Sequence, residues 1–216
     1  MAYLLSRVRG KSPNEAHRIL ARLCTPSLRQ NVAPNAERVT HVTQNVDGLS
    51  LEALSAVSGL SSSESIIEMH GNLFNVACTA HDCSYTSKNT DNPICPALGG
   101  TEKIVAEGNT EPIVKRAFLP HCPEKGCGQL LRPDVVWFGE RPKHIEMIIE
   151  LAKVADLCLV VGTSSLVQPA SRLPAYVRAN GGKVAVFNME QTNHSDEADW
   201  VFLGGCEVEL GRVLGL

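Results

Sequence analysis

The sequence predicts an α/β fold: a mostly parallel sheet covered by helices on both faces, with a small module inserted partway along the chain. Three observations carry that expectation. In the C-terminal half, apolar runs alternate with segments of helical period, the pattern of strands joined by crossover helices. Near residue 40 a β-branched run ends abruptly in the polar stretch "TQNVDGL". Between residues 78 and 128 two cysteine pairs sit among prolines and glycines with little sustained periodicity, which marks a separate module and not more of the sheet.

The totals bound the function classes. A chain of 216 residues suits one good-sized core or two small ones. Its 44% hydrophobic and 20% charged content is that of an ordinary globular protein, not a disordered one. A net charge of −3 argues against a broad basic face that would neutralise phosphates, so no nucleic-acid partner is expected. The longest apolar run, "LCLVVG" at 157–162, fits a buried strand and falls far short of a bilayer span. No membrane partner is expected either. "MAYLLSRVRG" has no long apolar region with a small-residue cleavage site, so no targeting signal is read. Without one, the eight cysteines point to metal or catalysis before disulfides.

The elements follow in order. In "PNEAHRILARLC" (residues 13–24) Ala16, Ile19, Leu20 and Leu23 recur at helical spacing, with Pro13 or Asn14 at the start. "RVTHVTQN" reads as a strand, and "GLSLEALSAV" as a short helix that turns Leu49, Leu54 and Val57 toward a core. "SGLSSSES" is Ser and Gly punctuation, and "SIIEMHG" a short strand ending at His70 and Gly71. Within the module, "GGTEKIVAEGNTEP" reads as a flexible loop. After "LLRPDVVWFGE", residues 142–155 are helical and "DLCLVVGTSS" is a strand with a turn. "QPASRLPAYVRANGG" is a helix closed by Gly181 and Gly182, and "KVAVFNME" is a strand. "ADWVFLGG" and "CEVELGRVLGL" add a last strand and a terminal helix.

Cys78 and Cys83 ("CTAHDC") and Cys122 and Cys127 ("CPEKGC") form two pairs, each with four residues between its members. Two short loops that offer two sulfurs each satisfy the tetrahedron of a structural zinc ion at small chain entropy per ligand. His81 and His121 adjoin the pairs and are alternative ligands, and Cys95 is a fifth cysteine with no place in a four-thiolate set. Cys24 and Cys158 lie in apolar stretches and read as small buried hydrophobes. A closed four-cysteine site holds structure and does no chemistry.

Polar residues also gather at strand ends: Gln44, Asn45 and Asp47, His70, "GTSS" at 162–165, and Asn188 with Glu190. Each alone has a plainer reading as a turn, a structural histidine or a helix cap. Together, on the carboxyl side of one parallel sheet, they outline a nucleotide crevice. "TQNVDGL", "EMHGNLFNVAC", "CGQLLRPDVVWFGE", "VVGTSSLVQPAS" and "VFNME", in this order and with a four-cysteine module between the second and third, resemble the sirtuins over roughly residues 11–214. "PICPAL" and "CGQLLRPDVVWFGE" look most like class III members, the sirtuin-5 type.

That resemblance implies an NAD-dependent protein lysine deacylase with a Rossmann-like large domain and a small zinc-binding domain. The expected division is 1–70 and 133–216 for the Rossmann-like parts and 71–132 for the zinc module. In such enzymes the acyl group of a lysine in a protein or peptide passes to ADP-ribose and nicotinamide is released. His70 would be the general base, for which an imidazole suits near-neutral pH. Gln44, Asn45 and Asp47 would line the nicotinamide and ribose pocket, Gly162, Thr163 and Ser164 the ribose-phosphate portion, Asn188 and Glu190 the adenosine ribose, and Cys206 the adenine. Val135, Val136, Trp137, Phe138, Gly139 and Glu140 would pair with the substrate peptide as an added strand. Val136, Trp137 and Phe138 would also help wall the acyl-lysine tunnel. The resemblance further implies a monomer in a mitochondrial, cytoplasmic or nuclear compartment.

The chain departs from the family pattern in having no glycine-rich opening strand and loop. That strand is central in a doubly wound sheet, so two neighbouring strands are expected to keep unpaired backbone groups, and catalysis is expected to be weak or absent. The Tyr-x-x-Arg pair with which class III enzymes read acidic acyl groups is not reproduced: Tyr3 is present, but Arg7 is not at the required spacing. A catalytically inactive, zinc-stabilised peptide-binding module is therefore the alternative expectation.

Overall fold

The computed structural model describes residues 2–58, 65–109, 113–192 and 195–216, so most of the "SGLSSSES" punctuation and the "TEP" end of the module loop lie outside the described residues. In chain order the elements begin with α1 (Ala2–Val8), α2 (Glu15–Leu23), α3 (Pro26–Val32), β1 (His41–Thr43), α4 (Leu49–Ser58) and β2 (Ile66–Glu68). They continue with β3 (Gly71–Cys78), β4 (Thr86–Lys88), α5 (Thr101–Ala106) and β5 (Leu131–Val135). The last are α6 (Ile145–Lys153), β6 (Leu157–Val161), α7 (Leu173–Ala179), β7 (Lys183–Asn188), β8 (Trp200–Leu203) and α8 (Cys206–Leu214).

The chain divides into two compact units. The larger comprises Pro13–Gln44, Leu49–Met69 and Arg141–Leu216. Its parallel strands fall into two sheets, β1 with β2 and β6-β7-β8, where the sequence suggested one. No described strand joins β1 to β6. β7 is central in its sheet and reads "KVAVFN" with four buried residues in succession, as a parallel strand covered on both faces should. Ala185 and Phe187 face Ile19 and Leu23 of α2 and Leu210 of α8, while Val184 and Val186 join Val160 and Val201. The Phe187 and Phe202 rings stack with centroids 4.8 Å apart.

α2 also reaches the two-stranded sheet, since Ala21 shares a cluster with Ala53, Leu54 and Ile66. Of its two candidate starts, Asn14 is the cap: its side chain accepts from the His17 amide at 3.1 Å, and His17 Nδ1 accepts from the Asn14 amide at 3.3 Å. In α4 the buried positions are Ser50, Ala53 and Leu54. Val57, expected to face a core, is 41% exposed.

The smaller unit comprises Met1–Ser12, Asn45–Gly48 and His70–Glu140. β3 is the central strand of an antiparallel sheet in the order β4-β3-β5. Leu5, Leu73, Val76, Ile94 and Val135 form its core. The boundaries therefore fall elsewhere than 1–70, 71–132 and 133–216. Leu5 of α1 is buried on β3 and β5, and β5 continues the small unit's sheet to Val135. The expected module loop contains α5, whose Thr101 is buried and donates its hydroxyl to the Leu98 carbonyl at 2.7 Å. α1 and α3 were not predicted; α3 opens on Pro26, which is well suited to a first helical position.

Candidate functional site

The predicted site residues divide between the two units. In the smaller unit they gather at the start of β3. Gly71 opens the strand with φ +80°, and an added Cβ would stand 2.0 Å from the Asp134 carbonyl oxygen, so only glycine lets β5 approach this closely. Gly71 pairs with Val135, and one residue further the Val136 amide donates to the His70 carbonyl at 2.8 Å. The segment Val135–Glu140 thus runs directly past the half-buried His70. The turn holding Asn45 and Asp47 is tied to the same strand, because the Leu73 amide donates to the Val46 carbonyl at 2.9 Å. A Cβ at Gly48 (φ +73°) would lie 3.2 Å from Asn72 Nδ2.

Beyond Val136 the chain turns outward. Trp137 is 43% exposed and Phe138 97%, so neither ring fills the unit's own core. Glu140 closes this turn. Its carboxylate takes both forks of Arg132, Nη1 to Oε1 at 2.6 Å and Nη2 to Oε2 at 2.8 Å, and accepts the Trp137 amide at 3.1 Å. The Glu140 amide returns to the Trp137 carbonyl at 3.0 Å. The Arg132 guanidinium and the Trp137 amide hold the Glu140 carboxyl well below its usual range, at about 2. Sequence reasoning did not single out Arg132, since its pairing depends on the turn between the two residues.

At the far end of the same unit the four cysteine sulfurs lie within 4.8 Å of one another. The closest approaches cross between the pairs: Cys78 to Cys127 at 3.5 Å and Cys83 to Cys122 at 3.7 Å. All four are free thiols. A tetrahedron with Zn–S bonds of about 2.3 Å has an edge of about 3.8 Å, so the set could hold a zinc ion. His81, His121 and Cys95 are not members of this cluster. Burial pushes the Cys122 thiol up to about 12, while the Gln129 amide holds Cys127 below the usual thiol range.

In the larger unit the second group lies at the carboxyl ends of β6 and β7. The Gly162 amide donates to the Phe187 carbonyl at 2.9 Å, and the Cys206 thiol donates to the same oxygen at 3.3 Å. A Cβ at Gly162 (φ +61°) would sit 3.6 Å from Cys206 Sγ. Asn188 Nδ2 donates to the carbonyls of Thr163 at 3.4 Å and Glu190 at 3.1 Å, which ties the two loops together. Gly162, Ser164 and Glu190 are exposed and Thr163 is half-buried. Gln44 follows β1 in the other sheet of this unit. The "GTSS" turn does not start a helix: the Thr163 hydroxyl accepts the Ser165 amide at 3.2 Å, and the next helical turn begins at Ala170.

Chemically the arrangement offers a glycine backbone open to close approach and an exposed carboxylate at Glu190. The N-terminus of α8 is less suited to phosphate. Glu207 and Glu209 crowd Gly205 and Gly204, placing two carboxylates where an anion would bind. Cys24 is buried and Cys158 half-buried, and burial pushes both thiols up to about 11.

A family model described as the Sir2 family matches residues 3–169. The NAD-dependent protein deacylase sirtuin-5, mitochondrial, of Canis lupus familiaris is 39% identical over 209 residues, covering 95% of this chain and 62% of that protein. The chain therefore spans about three fifths of that relative's length. A Sir2 homologue solved with NAD superposes with a TM-score of 0.69 at 29% identity, covering 99% of this chain and 69% of that one. A Sir2 structure with a p53 peptide and NAD+ superposes with a TM-score of 0.67 at 25% identity, covering 97% and 72%.

Proposed function

The chain belongs to the Sir2 family, and from that premise we propose that the protein acts as an NAD-dependent protein lysine deacylase on acylated lysines in proteins or peptides. The observation that carries this reading is the 2.8 Å bond from the Val136 amide to the His70 carbonyl. It joins the backbone of the segment read as peptide-binding to the backbone of His70, the residue read as the base, and so supports the reading. NAD, when bound, supplies the ribose carbon that accepts the acyl oxygen and the nicotinamide that leaves.

The chain's own residues do the rest. His70 accepts a proton from a ribose hydroxyl, for which an imidazole suits neutral pH. Gln44, Asn45 and Asp47 contribute polar groups for the nicotinamide and its ribose. Gly162, Thr163 and Ser164 receive the ribose-phosphate portion, Asn188 and Glu190 the adenosine ribose, and Cys206 the adenine. Val135, Val136, Trp137, Phe138, Gly139 and Glu140 form the peptide-binding segment, which aligns the acyl-lysine by strand addition. Cys78, Cys83, Cys122 and Cys127 hold one structural zinc ion. The mitochondrial designation of the sirtuin-5 relative supports a mitochondrial location.

Release of nicotinamide from NAD in the presence of acetyl-lysine and succinyl-lysine peptides tests the reading. Turnover is expected with at least one peptide, and His70→Tyr is expected to abolish it while zinc content stays at one ion per chain. Turnover that survives this substitution would remove His70 from the role of base. A second reading, a catalytically silent peptide-binding module, is favoured by the interrupted parallel sheet. It predicts peptide binding with no nicotinamide release.

A further inference from the structure

We infer that Arg132 is a positioning residue for the acyl peptide: it acts through Glu140, and the pair fixes the turn that presents Val135 and Val136 for strand addition. The inference rests on the peptide-binding reading of this segment. As a direct contact to substrate Glu140 is poorly placed, because both its carboxylate oxygens are already engaged by the two forks of Arg132, at 2.6 and 2.8 Å, and one of them also by the Trp137 amide at 3.1 Å. An arginine fork matched to a carboxylate fixes orientation as well as distance. Glu140 in turn is bonded to Trp137 through both its backbone and its side chain, so residues 137–140 form a closed loop anchored on β5.

The anchoring matters because of what lies on either side. Val135 is pinned to Gly71 in the sheet and Val136 to the His70 carbonyl, but the two aromatic residues that follow have little packing within the unit. Without the pair, the turn would be held chiefly by the backbone bond from Glu140 to Trp137. A peptide strand adding to this edge would then have to order it on binding, which weakens affinity. Both side chains are 39% exposed, so the pair adds little to overall stability, and its effect is to be read in peptide binding.

The test uses the full chain and fluorescein-labelled peptides carrying acetyl-lysine or succinyl-lysine, with binding read by anisotropy. Arg132→Lys keeps the charge and loses the fork; Glu140→Gln keeps the shape and an acceptor for the Trp137 amide but loses the charge-assisted pairing. Each is expected to weaken peptide binding about fivefold, and the double variant to be no worse than either single one, as for two residues acting as one unit. Zinc content and thermal midpoint should stay at the unmodified values. Hydrogen exchange at the Trp137 amide should quicken in both variants. If the unmodified chain binds peptide and both variants bind it equally well, the inference is overturned while the peptide reading stands. If the unmodified chain binds neither peptide, the peptide reading fails and takes the inference with it.

Discussion

Burial holds the imidazole of His41 neutral in the fold, its pKa pushed down to about 4, with the nearby charge of His17 adding to the effect. Its Nδ1 has no hydrogen-bond partner among the described residues. An unfolded chain takes up this proton near the ordinary value of about 6.5. Between those limits the unfolded state binds more protons than the folded one, so stability falls as pH drops from about 6.5 to about 4 and gains no further loss from this group below that. The gap corresponds to about 3 kcal/mol at most. Urea midpoints measured from pH 7 to pH 4 should therefore decline, and His41→Val should flatten the decline; an unchanged slope in that variant would place the titration elsewhere. Glu140 acts in the same direction over a lower pH range. Its folded pKa of about 2 lies below the unfolded value, so its contribution is present above about pH 4 and is lost as pH falls toward 2.

Among the elements, β6 and β1 are edge strands of parallel sheets, a place where such strands are seldom left uncovered. An unpaired backbone group costs free energy where water cannot reach it, but β6 is only partly enclosed, with Leu157 52% exposed and Leu159 half-buried. Water therefore satisfies part of what a neighbouring strand would. The remaining hazard is association, since an open apolar edge templates pairing with a second chain. Leu157→Lys should reduce concentration-dependent self-association, seen by sedimentation velocity, and leave the thermal midpoint nearly unchanged; identical association in the variant would exonerate this edge. The legible elements share a cause. α2, β7 and α8 carry apolar periods long enough to declare themselves, and each turns its buried residues into one core. α1, α3 and α5 are seven, seven and six residues long, too short for a period to register, and form where tertiary contacts bury Leu5, Leu28 and Thr101. The cysteine cluster was legible because metal spacing is local. The Arg132–Glu140 pairing was not, because it exists only once the intervening turn has formed.

For the whole molecule, the two units differ in what holds them together. Among the described residues the larger contains four clusters of buried side chains, on both faces of β7 and around α4 and α6. The smaller has, among the described residues, a single core cluster built on five buried residues, a core of the size that needs a staple. Four thiols within 4.8 Å supply one only if a metal ion takes them, since metal binding in such a module is folding free energy. The two tryptophans separate the outcomes, because Trp137 lies in the smaller unit and Trp200 in the larger. With zinc removed by a chelator at neutral pH, the Trp200→Phe variant should show a red shift and loss of anisotropy from Trp137. The Trp137→Phe variant should leave Trp200 emission unchanged, and adding zinc back should restore the first signal. Acidification should mimic the chelator, since protons compete with the metal for the thiolates. If Trp137 is indifferent to chelation, the five-residue core is sufficient alone; if Trp200 responds equally, the two units unfold as one.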